Sequence, residues 1–441
     1  MANDGIYSDL AASQVDKSDL NAIKLNEAIR SYCDENHNFN FDIKNPKVRL
    51  HEPTFGAEEI IAATNVLLST RVTMGPNVLS FEKTFAGMHE YGFGVSSNSG
   101  SSANLLAIAT LSNDMYVNRL SPGDEVIVPA LSWSTTVWPL IQYGLVPVIV
   151  DVDLLTFNIC PKKIKDAITP KTRAIMPVHV YGNPCNMDEL VQICEDNNLL
   201  LIEDCCEALG AKFRNKSVGK FGTVGTFSFY FSHHITTLEG GITVTDDNQI
   251  TEIMRSLRAH GWIRELDDKK SYTDLYPTID PRFLFVNLGY NLRITELQAA
   301  IGLVQLPKLN KFIEIRKTNT LAWRADLSNL KKYFDFQHDM VDSEGSYFGF
   351  ALVLQKTAPF SVAEVTAYLN KKGIETRPII CGNIALQPAI KKYPHRIVGD
   401  LDNATTIMTR GFSFGNHQSI NKPARDYVVE AINSFLHSIG I

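Results

Sequence analysis

Cysteine is sparse and unpaired in this chain: Cys33, Cys160, Cys185, Cys194, Cys205, Cys206 and Cys381, with no C-x-x-C spacing among them. An odd, scattered set of this kind excludes a disulfide framework and supplies no zinc or iron–sulfur ligand set, so no metal is expected. Long apolar runs are missing as well. The longest uncharged stretch, Val126 to Val150, is broken by Pro129, Pro139, Gly144 and Pro147 and contains Ser, Thr and Gln. A buried strand–helix–strand is expected there rather than a membrane span. Strong charge of one sign is absent: 42 Lys and Arg face 48 Asp and Glu, for a net charge of -6. That balance offers no overall basic surface to nucleic acid or to an anionic membrane. The opening residues, "MANDGIYSDLAASQVDKSDL", lack a basic segment followed by an apolar one. No secretory leader is expected, and a cytoplasmic location is. Lysine, finally, is absent from Val224 to Glu252, which leaves that stretch without a side-chain amine for covalent chemistry.

What is present is ordinary globular material: 441 residues, 44% hydrophobic and 20% charged, enough for one large and one smaller domain. Residues 1–48 are polar and are expected to form an irregular N-terminal extension. From 49 to 309 short apolar strands alternate with helical patterns. "LSPGDEVIVPAL", "GLVPVIVDVD", "TRAIMPVHV" and "NLLLIEDC" are strands, and "GAEEIIAATNVLL", "PKKIKDAI" and "MDELVQICEDN" are helices. Strands apolar throughout, separated by helices, predict an α/β domain with a mostly parallel sheet covered on both faces. A long helical stretch begins near Asn291 and contains Pro307, which predicts a kink or break. Residues 310–441 read as a smaller α+β domain, with strands in "YFGFALVL" and "GIETRPII" and helices in "SVAEVTAYLNKK" and "ARDYVVEAINSFLHSI".

Three segments can carry chemistry. "SNSGSSANLLAIATL", residues 97–111, sets Gly100, Ser101 and Ser102 at the start of a helix. Such a start is either a plain N-cap or a seat for a phosphate. "LLLIEDCCEALG" ends a buried strand on Glu203 and Asp204. The carboxyl ends of parallel strands are where ligands bind, and a carboxylate there can pair with a protonated ring nitrogen or cap a helix. "SFYFSHHITTLEGG" carries His233 and His234 in tandem, closed by a glycine pair that reads as turn chemistry. In an extended segment successive side chains alternate, so at most one of the two faces a given site.

The order of "SGSSA", the Trp133 of "SWSTT", "IEDCCEALGA", "TFSFYFSHHITTLEGG", "LRAHGW" and "LGYNLRITELQAAIG" resembles the DegT/DnrJ/EryC1/StrS family of pyridoxal-phosphate-dependent sugar aminotransferases, across residues 50 to 440. The resemblance implies the type I, aspartate-aminotransferase-like fold. It implies that Gly100, Ser101, Ser102 and Ser228 hold the cofactor phosphate, that Trp133 stacks on its ring, that Asp204 pairs with its ring nitrogen, and that Glu207 lies near its ring oxygen. Asn291 matches a residue that reaches the phosphate from a neighbouring subunit, which implies a homodimer with shared active sites. Most members have a lysine where this chain has His233. An imidazole cannot hold the cofactor aldehyde as an amine does, but with a pKa of ~6.5 it can move protons. Histidine at this place marks the family's 3-dehydratases. These act on nucleotide-linked 4-keto-6-deoxy sugars, here of the GDP-mannose type, and work with pyridoxamine phosphate. His233 is then the catalytic base, and His234 is structural. A related subgroup adds cysteines for an iron–sulfur centre. Between Gly241 and Gly382 this chain has Cys381 alone, so restoration of the amine by L-glutamate is the expectation. Arg377 is placed either on a substrate phosphate or carboxylate or in a structural ion pair. Alternatives are an aminotransferase using another lysine, of which Lys220 is the nearest upstream, and a dehydratase of CDP- or TDP-sugars.

Overall fold

The computed structural model describes residues 19–441. They form two compact units, each discontinuous in sequence, in contrast to the continuous blocks that the residue pattern suggests. The first comprises 19–38, Thr54–Pro122 and Gly222–Lys308; the second comprises Phe39–Pro53, Gly123–Phe221 and Leu309–Ile441. Of the expected irregular extension, residues 1–18 lie outside the described residues. Of the remainder, residues 37–48 are irregular apart from the bridge at Val48, but Leu20–Asn36 is a helix whose first turn is capped by the Asp19 carboxylate accepting from the Asn21 N–H. Ala22, Leu25, Ile29 and Cys33 recur at helical spacing within it, a signal that the polar character of the segment as a whole obscured, and the Asp19 cap is a second one. No helix among the described residues is long and apolar enough to cross a membrane.

The first unit is built on three antiparallel strands. Gly241–Thr245 lies in the middle, pairing with Phe93–Ser97 on one side and Val224–Ser228 on the other. The register sets Ser97 opposite Gly241 and Ser228 opposite the same glycine, so three strand ends lie abreast. The helix Gly100–Leu111 follows at once from the first of these strands, and its buried residues include Ala103, Leu106, Ala107 and Ile108. Phe81, Phe85, Phe227 and Phe229 pack edge to face within this unit, with ring centroids 5.3 to 5.4 Å apart for Phe81–Phe229, Phe85–Phe227 and Phe85–Phe229. The fully buried Arg258 is neutralised from two sides, by Glu82 and by Glu265 at 2.7 Å, and it also donates to the Ser96 carbonyl at 3.1 Å. That bond fixes the strand one residue before its end, where the Ser-rich loop begins. The long helical stretch breaks where Pro307 predicts. Glu296–Gln305 ends in a 3₁₀ turn, Leu306–Lys308, before Leu309–Asp326 starts in the second unit.

The second unit holds five parallel strands in the order Leu200–Asp204, Thr172–Ile175, Glu125–Pro129, Val146–Val150 and Arg396–Ile397. The side chains of the first four are mostly buried on both faces, as continuous Val, Ile and Leu runs require, while the short edge strand Arg396–Ile397 is partly exposed. A separate antiparallel sheet runs Phe334–Phe336, Gly349–Leu354, Gly411–Gly415, Thr376–Arg377. Trp323, Phe350, Phe412 and Phe414 fill its core against the helices Val362–Lys371 and Lys422–Ser438. Val48 joins this unit by an isolated bridge to Ile374.

Gly241 is required by packing and not by backbone conformation. A Cβ there would sit 2.3 Å from the Ser99 carbonyl oxygen and 2.8 Å from the Gly100 nitrogen. Gly241→Ala is therefore expected to destabilise the protein by about 1–3 kcal/mol, as overpacked cores do. The denaturation midpoint in urea checks this, and an unchanged midpoint would contradict it.

Candidate active site

In the first unit the three strand ends place two functional loops side by side. Ser97 leads into Asn98–Ser99 and the helix Gly100–Leu111. Ser99 is its N-cap, with extended backbone and a hydroxyl accepting from the Ser102 N–H at 3.0 Å. The Ser102 hydroxyl lies 3.0 Å from that of Ser99 and donates to the Asn98 amide oxygen at 2.6 Å. The cap is therefore Ser99 and not one of the expected phosphate-holding residues. Gly100, Ser101 and Ser102 form the first turn, whose N–H groups carry the positive end of the helix dipole. Asn98 is fixed in turn by its N–H donating to the Leu292 carbonyl at 2.8 Å. The adjacent Asn291 is exposed and accepts from the Arg293 Nε at 3.0 Å.

Ser228 leads into the histidine turn, and its hydroxyl accepts from the Tyr230 N–H at 3.3 Å. Residues 231–239 are turn and bend, not extended strand, so simple alternation does not separate the two histidines. The turn does so. His233 is half-buried, its N–H donates to the Tyr230 carbonyl at 2.9 Å, and its ring meets that of Tyr230 edge to face at 6.2 Å. His234 is fully buried. The Phe229 carbonyl closes the loop by accepting from the Thr237 N–H at 3.0 Å and the Thr236 hydroxyl at 3.1 Å. The left-handed residue of the turn is Leu238, with φ 71°, and neither glycine of the pair that was read as turn chemistry takes positive φ.

In the second unit the carboxyl ends of parallel strands carry the remaining groups. Asp204 ends Leu200–Asp204 and is 3% exposed. Its Oδ2 accepts from the Thr136 hydroxyl at 2.8 Å and its Oδ1 from the Cys206 N–H at 3.1 Å. Trp133 stands at the N-cap of Ser134–Gln142, beyond the end of Glu125–Pro129, with its indole 56% exposed and available for stacking. Glu207 accepts from the Tyr181 N–H at 2.9 Å. Burial pushes its carboxyl up to about 7, against the opposing pull of the Arg377 guanidinium and the Tyr181 N–H. Tyr181 itself has a left-handed backbone, φ 55°. Its hydroxyl lies 2.9 Å from that of Ser413, and the Arg377 guanidinium rests 5.7 Å above its ring. Arg377 forms no direct ion pair with a carboxylate among the ion pairs described.

His179, Glu203 and Cys205 bring metal-capable atoms within 4.8 Å of one another. The His179 Nδ1 accepts from the Cys185 N–H at 3.0 Å, which leaves Nε2 to donate to Glu203 at 3.2 Å. Glu203 also accepts from the Gly219 and Phe221 N–H groups, and burial pushes the Cys205 thiol up to about 12. These bonds tie the end of the strand Leu200–Asp204 to the segments around His179 and Gly219.

Taken unit by unit, the first offers main-chain N–H groups and hydroxyls of the kind that suit a phosphate, and the second offers a buried anchored carboxylate and an accessible Trp133 of the kind that suit the ring nitrogen and ring face of pyridoxal or pyridoxamine phosphate. Sequence reading missed Thr136 and Tyr181, whose partners lie far along the chain. For Thr136 the signal was its place three residues after Trp133 in "SWSTT".

Residues 53–433 match the DegT/DnrJ/EryC1/StrS aminotransferase family. The chain is 42% identical over 375 residues to the GDP-4-keto-6-deoxy-D-mannose 3-dehydratase of Yersinia pseudotuberculosis, covering 84% of this chain and 94% of that protein. Among solved structures it is similar to the Escherichia coli GDP-4-keto-6-deoxy-D-mannose 3-dehydratase with bound hydrated pyridoxal phosphate. The TM-score is 0.83 and the identity 39%, covering 88% of this chain and 99% of that one. It is equally similar to a GDP-4-keto-6-deoxymannose 3-dehydratase with a trapped pyridoxal-phosphate–glutamate geminal diamine, at TM-score 0.82 and 39% identity, covering 88% and 100% of the two chains.

Glu207 makes stability depend on pH. Its folded pKa lies near 7, above the usual 4.5, so the native protein holds a proton that the unfolded chain releases between those values. The stability it contributes is complete below the lower value and is lost as pH rises through the upper one. Glu207→Gln is expected to flatten the unfolding free energy of the cofactor-free protein over this interval, as measured by urea titrations. An unchanged slope would show that Glu207 does not titrate there.

Proposed function

The chain belongs to the DegT/DnrJ/EryC1/StrS aminotransferase family, and on that premise we infer that it is a 3-dehydratase of GDP-4-keto-6-deoxy-mannose or a close stereoisomer, dependent on pyridoxal and pyridoxamine phosphate. The carrying observation is His233, half-buried in the turn after Ser228, in a stretch without lysine. An amine there would hold the cofactor covalently and favour amino transfer; an imidazole leaves it untethered and moves protons. Similarity to dehydratases with bound pyridoxal phosphate and with a trapped glutamate adduct supports this reading.

The cofactor supplies an amine for the sugar's 4-keto group and an electron sink for the chemistry that follows. The N–H groups and hydroxyls of Gly100, Ser101, Ser102 and Ser228 bind its phosphate. Asp204, oriented by Thr136, keeps the ring nitrogen protonated. Trp133 lies against the ring face, and Glu207 accepts or donates a proton at the ring oxygen. His233 takes a proton from the cofactor's aminomethyl carbon and then, as imidazolium, delivers it to the departing hydroxyl at sugar carbon 3. Hydrolysis yields a 4-keto-3,6-dideoxy sugar and ammonia, and L-glutamate restores the amine, leaving 2-oxoglutarate. The exposed Asn291 serves the phosphate of a second copy, so the working form is a homodimer. A cytoplasmic location belongs to this reading, supported by free cysteines that suit a reducing compartment.

His233→Lys is expected to bind pyridoxal phosphate covalently, with a visible absorption band that borohydride discharges, and to lose ammonia release from the sugar nucleotide. His234→Ala is expected to keep that release. Ammonia production by the lysine variant at the parent rate would remove His233 as the base. A pyridoxyl group trapped by borohydride on a lysine of the parent protein would favour an aminotransferase.

A further inference from the structure

The helix Glu296–Gln305 backs the histidine turn along one face. Gln298, Gly302 and Gln305 are spaced by four and three residues and so lie above one another. At the exposed end the Gln298 Nε2 donates to the Glu239 carbonyl at 2.6 Å. In the middle, a Cβ on Gly302 would stand 2.9 Å from the Thr237 methyl and 2.5 Å from the Phe81 ring, so the turn presses directly on the helix backbone. At the buried end Gln305, wholly inaccessible, makes three hydrogen bonds. Its Oε1 accepts from the Thr236 N–H at 3.2 Å, and its Nε2 donates to the Thr54 carbonyl at 2.9 Å and to the Glu59 Oε1 at 2.7 Å. The orientation of the amide is fixed by its partners, since a flipped amide would turn its oxygen toward a carbonyl and a carboxylate. Glu59 is itself anchored by Lys308 at 2.6 Å and by the Gly56 N–H at 2.8 Å.

We propose that Gln305 is a positioning residue for the dehydration: through the Thr236 N–H it fixes the turn that carries His233, and so sets where the imidazole stands relative to the proton it moves. The proposal rests on the dehydratase reading for its kinetic consequence and on the hydrogen bonds alone for its structural one. Within the turn, the Thr236 hydroxyl already bridges the Phe229 carbonyl and the Leu238 N–H. Gln305 is what ties that closed loop, three residues after His233, to the helix and through Glu59 to the residues that precede Ala57–Leu68. A Gln305→Met side chain keeps the volume and removes the acceptor, leaving the Thr236 N–H and the Glu59 carboxylate to find other partners.

The test uses the holoenzyme, two variants of Gln305 and one of His233. Gln305→Met is expected to lower kcat by about 10- to 100-fold with KM for the sugar nucleotide unchanged, as a displaced catalytic group does. The His233 imidazole resonances in histidine-labelled protein, assigned by their loss in His233→Asn, are expected to move. Gln305→Asn keeps the amide but, one methylene shorter, withdraws the acceptor from Thr236; it is expected to move the same resonances and lower kcat in the same sense. Unmoved resonances and unchanged kcat in folded Gln305→Met would overturn the proposal, and the same result in Gln305→Asn would overturn it if Gln305→Met does not fold. If the parent protein releases no ammonia, the functional reading fails while the resonances still judge the positioning.

Discussion

Ser97, Gly241 and Ser228 lie abreast because three strands pair antiparallel, and this register tolerates no side chain at its centre. From one end of the row the chain turns into the Ser-rich helix start, and from the other into the histidine turn. The separation of the two loops where they leave the sheet is therefore set by strand pairing, whose lateral spacing is about 4.8 Å. Arg258 reinforces the arrangement from beneath. Its guanidinium, balanced by Glu82 and Glu265, holds the Ser96 carbonyl and so fixes the strand just before the loop. A buried arginine is tolerable there because both carboxylates and a carbonyl meet it.

The chemical consequence follows from one position. With an amine at 233 the family's chemistry retains the cofactor covalently between turnovers. With imidazole, as proposed, retention falls to non-covalent contacts. For these the first unit offers the first-turn N–H groups of Gly100–Leu111, and the second offers the Asp204 carboxylate, held by Thr136 and the Cys206 N–H, and the exposed Trp133. A group that can leave as readily as it binds suits a cycle in which the amine is consumed and has to be restored by glutamate. Glu207, with its carboxyl near 7, adds a second group able to hold or release a proton at neutral pH.

Much of this was legible in the residues. Apolar runs bounded by Gly and Pro gave the parallel strands of the second unit, Pro307 marked the helix break, and the order of short motifs named the family. Asp204 stood out as a candidate because the ends of buried strands are sites in α/β sheets, whereas Trp133 was singled out only through the family resemblance. What was not read depended on contacts distant in sequence or on a pattern set in polar surroundings. The helix Leu20–Asn36 has Ala22, Leu25, Ile29 and Cys33 at helical spacing and an Asp19 cap, but the polar residues around them masked it. The segments that interleave to make each unit cannot be sorted by pattern alone. The glycine pair after the histidines looked like turn chemistry, whereas Gly241 serves close approach and Leu238 takes the left-handed conformation. Gln305 meets Thr236 across 69 residues and Thr54 across 251, separations that leave no local signature.

The central claim is that an imidazole in place of the lysine turns amino transfer into elimination, with the sugar's 3-hydroxyl lost and nitrogen leaving as ammonia. Its most direct measurement is the product stoichiometry of the purified protein given GDP-4-keto-6-deoxy-mannose, pyridoxal phosphate and L-glutamate. The account predicts equal amounts of 2-oxoglutarate and ammonia, with a sugar nucleotide lighter by one oxygen and carrying no amine. Formation of 2-oxoglutarate with an aminated sugar nucleotide and no ammonia would contradict it.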